Sequence, residues 1–182
     1  STRRTGWSVA NGQIDLAIIG GQLPGDLENL LQVIPYATDE LALVLPSKHP
    51  LSNKKELLKE DLYKLNFVTL DSQSTTRKVV DKLLKDSGLD IQRLKIEMEL
   101  NSLEAIKNAV QSGLGASFLP VVSIERELAA GTIHKAFIAD LEVKRELKLI
   151  TNPSRYTSRA SEVFKKNILP QFASFESPLR ES

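Results

Sequence analysis

Two short stretches of the chain concentrate the side chains that bind anions. The first is Asp71-Ser-Gln-Ser-Thr-Thr-Arg77, the second Glu99-Leu-Asn-Ser102. Each lies where an apolar strand pattern gives way to a helical one. A helix start presents unpaired backbone N–H groups and the positive end of the dipole, which attract anions. The hydroxyls of Ser74, Thr75 and Thr76 and the guanidinium of Arg77 add donors suited to a carboxylate or phosphate. Ordinary N-capping explains any one of these residues alone, and Asn101 with Glu104 has capping-box spacing. The two junctions together with Thr2-Arg-Arg-Thr5 favour an anion-binding reading, although Arg3 and Arg4 read equally well as solvated surface charges.

Signatures of catalysis are sparse. His49 sits in a proline-flanked turn and His134 in a strand, far apart in sequence and without the spacing of a metal pair. Gly113-Leu-Gly115 lacks the third glycine of a dinucleotide loop, because position 118 is Phe, so helix stop and strand entry explain it better. There is no phosphate-binding G-x-x-x-x-G-K-[ST] loop and no G-x-S-x-G nucleophile elbow. The carboxylates fall mostly on expected solvent faces, and Trp7 and Phe118 read as core. No catalytic residue, metal or cofactor is expected, and an enzyme is the weaker hypothesis.

Composition narrows the class further. Among 182 residues, 24 Lys+Arg against 23 Asp+Glu leave a net charge of +1, and no Cys is present. A nucleic-acid module normally carries its phosphate footprint as net positive charge, so this stretch is not expected to bind DNA. Disulfides, cysteine zinc sites and thiol nucleophiles are excluded. No apolar run is long enough to span a bilayer and no charged-then-apolar leader opens the chain, so a cytoplasmic location without membrane contact is expected. At this length the chain forms one large domain or two small lobes.

These side chains must be positioned by strands and helices in alternation. Compact apolar runs at 14–19 and 41–45 read as strands buried on both faces. Further strands are expected at 66–70, 94–100 with Leu94, Ile96, Met98 and Leu100 alternating, 115–119, 133–138 and 146–151. Helices follow at about 75–87 (with Val79, Val80, Leu83 and Leu84 on one face), 103–112, 120–130 and 158–169, the last with Ala160, Val163, Phe164 and Ile168 inward. The alternation indicates an α/β class with mostly parallel sheets, whose ligands bind beyond the carboxyl ends of strands.

Three segments carry a family resemblance. Gln13-Ile-Asp-Leu-Ala-Ile-Ile-Gly-Gly21 resembles a strand of the effector-binding domain of LysR-type transcriptional regulators. Asp39-Glu-Leu-Ala-Leu-Val-Leu-Pro-Ser-Lys-His-Pro-Leu51 is similar to the strand and hinge that come after it. The stretch from Leu103 to Pro120, with Val110-Gln-Ser-Gly-Leu-Gly-Ala-Ser-Phe-Leu-Pro120, resembles the family's most recognisable element. Residues 1–12, 70–82 and 94–104 look like the inorganic-carbon and Rubisco-operon regulators of cyanobacteria and plastids.

The resemblance implies two Rossmann-like lobes joined by crossover strands, as in type 2 periplasmic binding proteins. Lobe one would be residues 1–45 with 142–182, and lobe two residues 46–141. A small anionic metabolite would bind in the cleft between them, with 2-phosphoglycolate, 2-oxoglutarate and ribulose 1,5-bisphosphate as candidates. Any positive potential is expected to gather there. Carried over by position, Thr2, Ser74, Thr75, Thr76, Arg77, Asn101 and Ser102 are the expected effector-binding residues. Homodimers or tetramers through the regulatory domains are implied, and DNA binding only through a helix-turn-helix domain that this sequence lacks. The first strand, helix and second strand of lobe one are also expected to be absent. Whether the parent represses or activates is left open. A solute-binding transport protein of the same two-lobed fold is the alternative reading.

Overall fold

A computed structural model describes residues 1–173, with side chains described through residue 167. The chain divides into two compact units, one comprising Ser1–Thr38 and the chain from Glu146 onward, the other Asp39–Arg145.

The first unit opens with α1 (Thr2–Ala10), followed by β1 (Leu16–Ile19) and the short α2 (Gly25–Glu28). No element is read from the sequence at residues 2–10, where Arg3, Arg4, Thr5 and Ser8 dilute the apolar period. The helix forms by burying Gly6, Val9 and Ala10. Gly6 packs so closely on α2 that an added Cβ would stand 2.7 Å from Leu27 Cδ1. The chain returns to this unit in β7 (Lys144–Thr151), which pairs antiparallel with β1 in the register Leu16↔Thr151 to Ile19↔Lys148, and ends in α6 (Arg159–Ala173). Asp15 plays a structural part. Its carboxylate accepts from the Ser158 amide (3.1 Å) and the Ser161 hydroxyl (2.8 Å), capping the approach to α6. Those hydrogen bonds, Ser158 foremost, hold its pKa below the usual carboxylate value.

The second unit begins within β2 (Gln32–Pro46), whose last residues, Leu41 to Pro46, are all buried. β2 is flanked antiparallel by β5 (Ser117–Pro120), with Leu43 opposite Phe118, and by β6 (Ile133–Ala136), with Leu43 opposite Ala136. β3 (Asn66–Leu70) runs parallel to β4 (Lys95–Leu100). Helices α3 (Thr75–Asp86), α4 (Leu103–Gln111) and α5 (Glu125–Ala129) complete the unit. Two apolar clusters pack on opposite sides of these strands. One joins Leu41, Leu43, Phe67, Val80, Leu84 and Phe118, the other Ala42, Val44, Val68, Ile106, Val110 and Leu119. Gly115 permits a close approach of backbones: its Cβ would lie 2.6 Å from the Asn66 carbonyl oxygen, which accepts from the Ala116 amide at 2.7 Å.

Several local expectations are corrected. The α/β class stands, but the sheets are not mostly parallel, because the long strand β2 takes antiparallel neighbours on both sides. β1 is not buried on both faces: Ile18 is 41% exposed while Ile19 is buried. Trp7 is not core; it lies on the outer face of α1, opposite the buried Gly6 side, beside Arg3 and Arg4. The helix expected over 120–130 is cut to α5 by a 3₁₀ turn at Val121–Ser123, where the Ser123 hydroxyl donates to the Pro120 carbonyl at 2.7 Å. On α6, Ala160 and Val163 face outward and Phe164 is half-buried, because the described residues supply no cover for that face. Ile168 lies outside the described side chains.

Asp61 anchors the 3₁₀ turn Lys59–Lys64. Its buried carboxylate accepts from the Leu58 amide (3.1 Å), Lys54 Nζ (3.2 Å) and Lys64 Nζ (2.8 Å). The Lys64 bond, then the Leu58 amide, hold its pKa down to about 2. A depressed carboxylate contributes stability above its unfolded pKa and loses it as pH falls through the folded value. Asp61→Asn is therefore expected to lower stability by about 1–3 kcal/mol at pH 7, as judged by urea unfolding. The gap to wild type should shrink below about pH 4 and close only as pH falls through about 2. A gap that stays constant across this range would contradict the assignment.

Candidate functional site

β3 delivers the chain to α3 through a tight turn. The Asp71 amide donates to the Leu100 carbonyl (3.0 Å), and the Asp71 carboxylate accepts from the Gln73 amide (2.9 Å). Ser74 is the N-cap residue of α3, and its side chain makes no capping hydrogen bond. Ser74, Thr75 and Thr76 are half-buried around it. The first turn of a helix presents backbone N–H groups beyond the intrahelical ladder and the positive end of the dipole, the features an anion site uses.

Arg77 is placed differently from a ligand-reaching cation. Its Nε donates to both oxygens of Asp81 at 2.8 Å, and its Nη1 to Thr69 Oγ1 (2.6 Å), the Leu70 carbonyl (3.3 Å) and Glu99 Oε1 (3.3 Å). The side chain is 15% exposed and faces two carboxylates. It ties the first turns of α3 to the ends of β3 and β4.

Glu99 reaches Arg77 because the strand alternation breaks. Phe67 pairs with Ile96 and Val68 with Met98, leaving Glu97 as an extra residue in β4. The bulge reverses the facing of the residues beyond it. Ile96 packs in the cluster with Phe67, whereas Leu100 joins the cluster on the other side. Met98, expected to alternate inward, is 42% exposed.

The second junction is capped. Ser102, not Asn101, is the N-cap of α4, and its hydroxyl accepts from the Ala105 amide at a long 3.5 Å. The capping box expected between Asn101 and Glu104 is not formed. Glu104 turns instead to Lys107 Nζ at 2.7 Å, and Asn101 is exposed just ahead of the cap. Thr2, in the other unit, is the half-buried first residue of α1.

Two residues that sequence reasoning missed complete the α3 start. Arg145 in β7 donates through Nε (2.8 Å) and Nη2 (2.6 Å) to Asp39 Oδ2, and through Nη1 to Thr76 Oγ1 at 2.7 Å. Asp39 is 8% exposed and Arg145 14%. Nothing local marks Arg145, which stands in an ordinary Lys144-Arg-Glu-Leu-Lys strand pattern 69 residues from Thr76. Arg77 and Arg145 are thus each matched by at least one carboxylate, while the exposed Lys78 reaches Gln73 Oε1 at 3.4 Å. Besides these cations, the donors at the α3 start are hydroxyls and amides.

The remaining sequence candidates find structural roles. His49 Nδ1 accepts from the Leu51 amide (3.2 Å) and caps a 3₁₀ turn, while His134 lies in β6. Among the described residues no three of His, Cys, Asp and Glu are grouped to hold a metal, and no helix is long and apolar enough to cross a membrane.

Comparison with known proteins gives one family. Residues 2–173 match the model described as the LysR substrate binding domain. A probable RuBisCO transcriptional regulator of Trichormus variabilis is 61% identical over 173 residues, covering 95% of this chain and 51% of that protein. The chain therefore spans about half the length of such relatives. The fold matches the CcmR regulatory domain of Synechocystis PCC6803, solved in complex with 2-PG, at a TM-score of 0.80 and 23% identity, covering 94% of this chain and 80% of that one. It also matches the effector-binding domain of QuiR, solved with shikimate, at a TM-score of 0.78 and 22% identity, covering 96% of this chain and 79% of that one.

Proposed function

The chain belongs to the LysR substrate-binding domain family, and we propose that it is the effector-sensing part of a transcriptional regulator of inorganic-carbon and Rubisco genes. On this reading it is a binding module and not an enzyme, with two lobes corresponding to the two units. The α3 start carries the proposal: a helix terminus whose N-cap Ser74 makes no side-chain cap, ringed by the hydroxyls of Ser74, Thr75 and Thr76, suits a small anion. Asn101 and Ser102 at the start of α4 are further candidates, as is Thr2 in the other unit. Arg77 enters chiefly as the residue that fixes the turn, since its Nε and Nη1 already serve Asp81, Thr69 and Glu99.

The effector would be a phosphorylated acid or dicarboxylate, with 2-phosphoglycolate first because it is the ligand named for the Synechocystis neighbour. In the whole protein, binding would shift DNA affinity through different affinities for two arrangements of the regulatory domains. Titration calorimetry against 2-phosphoglycolate, 2-oxoglutarate and ribulose 1,5-bisphosphate is expected to show saturable heat with at least one. No heat from any of the three at millimolar concentration would overturn the effector reading.

A further inference from the structure

The Asp39–Arg145 pair is more elaborate than strand packing requires. Its guanidinium contributes Nε and Nη2 to one carboxylate oxygen and turns Nη1 onto a hydroxyl in the first turn of α3. A threonine hydroxyl has one proton to donate and two lone pairs to receive with. Because Thr76 Oγ1 receives from Arg145, its own O–H is left to act as a donor. Arg145 has no reason to approach an anion with its full charge, since Asp39 lies against it with little water between.

We propose that Arg145 is a positioning residue for anion recognition: it aims the Thr76 hydroxyl as a fixed donor at the α3 start, while Asp39 neutralises its charge. This inference rests on the effector reading above and adds how the anion is read. Recognition is by uncharged donors, namely the Thr76 hydroxyl with the neighbouring hydroxyls and helix amides. Affinity should then depend only weakly on salt, unlike a site built on exposed cations. Arg145 should also matter only through Thr76.

The test is calorimetry of the full chain with 2-phosphoglycolate, with inorganic phosphate as a second probe. Thr76→Val is expected to weaken binding about tenfold, the worth of one hydrogen bond to a charged group, and Thr76→Ser to retain it. Arg145→Met should match Thr76→Val, and the double variant should bind as weakly as either single one, within about twofold. Because Arg145→Met strands a buried carboxylate, Asp39→Asn/Arg145→Met serves as the folding-safe equivalent. Wild-type affinity should change less than about threefold between low and physiological salt.

A further tenfold loss on adding the Arg145 change to Thr76→Val would mean that Arg145 touches the anion, overturning the inference. So would Thr76→Val or the neutralised pair binding like wild type, or a steep salt dependence. These results leave the effector reading intact. Absence of heat from the wild-type chain with every probe overturns that reading, and this inference with it.

Discussion

Asp39→Ala is expected to destabilise the protein by about 3–5 kcal/mol, because it leaves Arg145 charged, largely withdrawn from water and without its carboxylate. The wild-type pair is close, at 2.6 Å, and both side chains are largely withdrawn from water. Attraction within a buried pair roughly offsets the cost of taking both ions out of water, so the pair itself adds little to stability. Removing one member leaves the desolvation cost of the other uncompensated. Urea unfolding of wild type and variant measures the difference directly. A loss below about 1 kcal/mol would show that water reaches Arg145, which is the regime of a surface ion pair. The position matters because Asp39 and Arg145 are the first and last residues of their unit. Within that unit Arg145 joins Asp39 to the start of α3 through Thr76.

How much of this was legible in the sequence depends on how local each signal is. The hydroxyl-rich α3 start was legible, since Ser74, Thr75 and Thr76 are consecutive and come directly after a clear strand. The family was legible because its motif residues are recognised by type and order along the chain, even where their partners are distant. Asp15 caps the approach to α6, and Gly115 lets the chain pass the Asn66 carbonyl. The cap of α4 was misplaced by one residue, as Asn101 and Ser102 are both good caps and only geometry chooses between them. The bulge at Glu97 leaves no mark in an alternating Lys95-Ile-Glu-Met-Glu-Leu100 pattern, yet it brings Glu99 to Arg77. Arg145 was invisible for a stronger reason. Its partners, Asp39 and Thr76, are 106 and 69 residues away, and only tertiary structure brings them together.

A second buried cation supplies a contrast that separates scaffold from site. Lys107 on α4 is 9% exposed; its Nζ meets Glu127 Oε1 at 2.9 Å, Glu104 Oε1 at 2.7 Å and the Ser123 carbonyl at 3.2 Å. The hydrogen bonds to Glu104 and then Glu127 raise its pKa above the ordinary lysine value. Lys107→Met is expected to cost about 3 kcal/mol by urea unfolding at pH 7, because Glu127 keeps its charge at the α4–α5 contact. A raised lysine pKa contributes stability below the unfolded value and loses it as pH rises through the folded one, so the gap should narrow above about pH 10.5. Adding Glu127→Leu should recover most of the loss, since a buried pair exchanged for apolar groups of similar size is often neutral. If the double variant is no better than Lys107→Met, the pair has a role that packing cannot replace. Applied to both pairs, this exchange distinguishes the two roles. For Lys107 and Glu127 it should restore stability and leave anion binding at wild-type strength. For Asp39 and Arg145 it should restore stability but not binding, because no apolar side chain can hold the Thr76 hydroxyl as a donor.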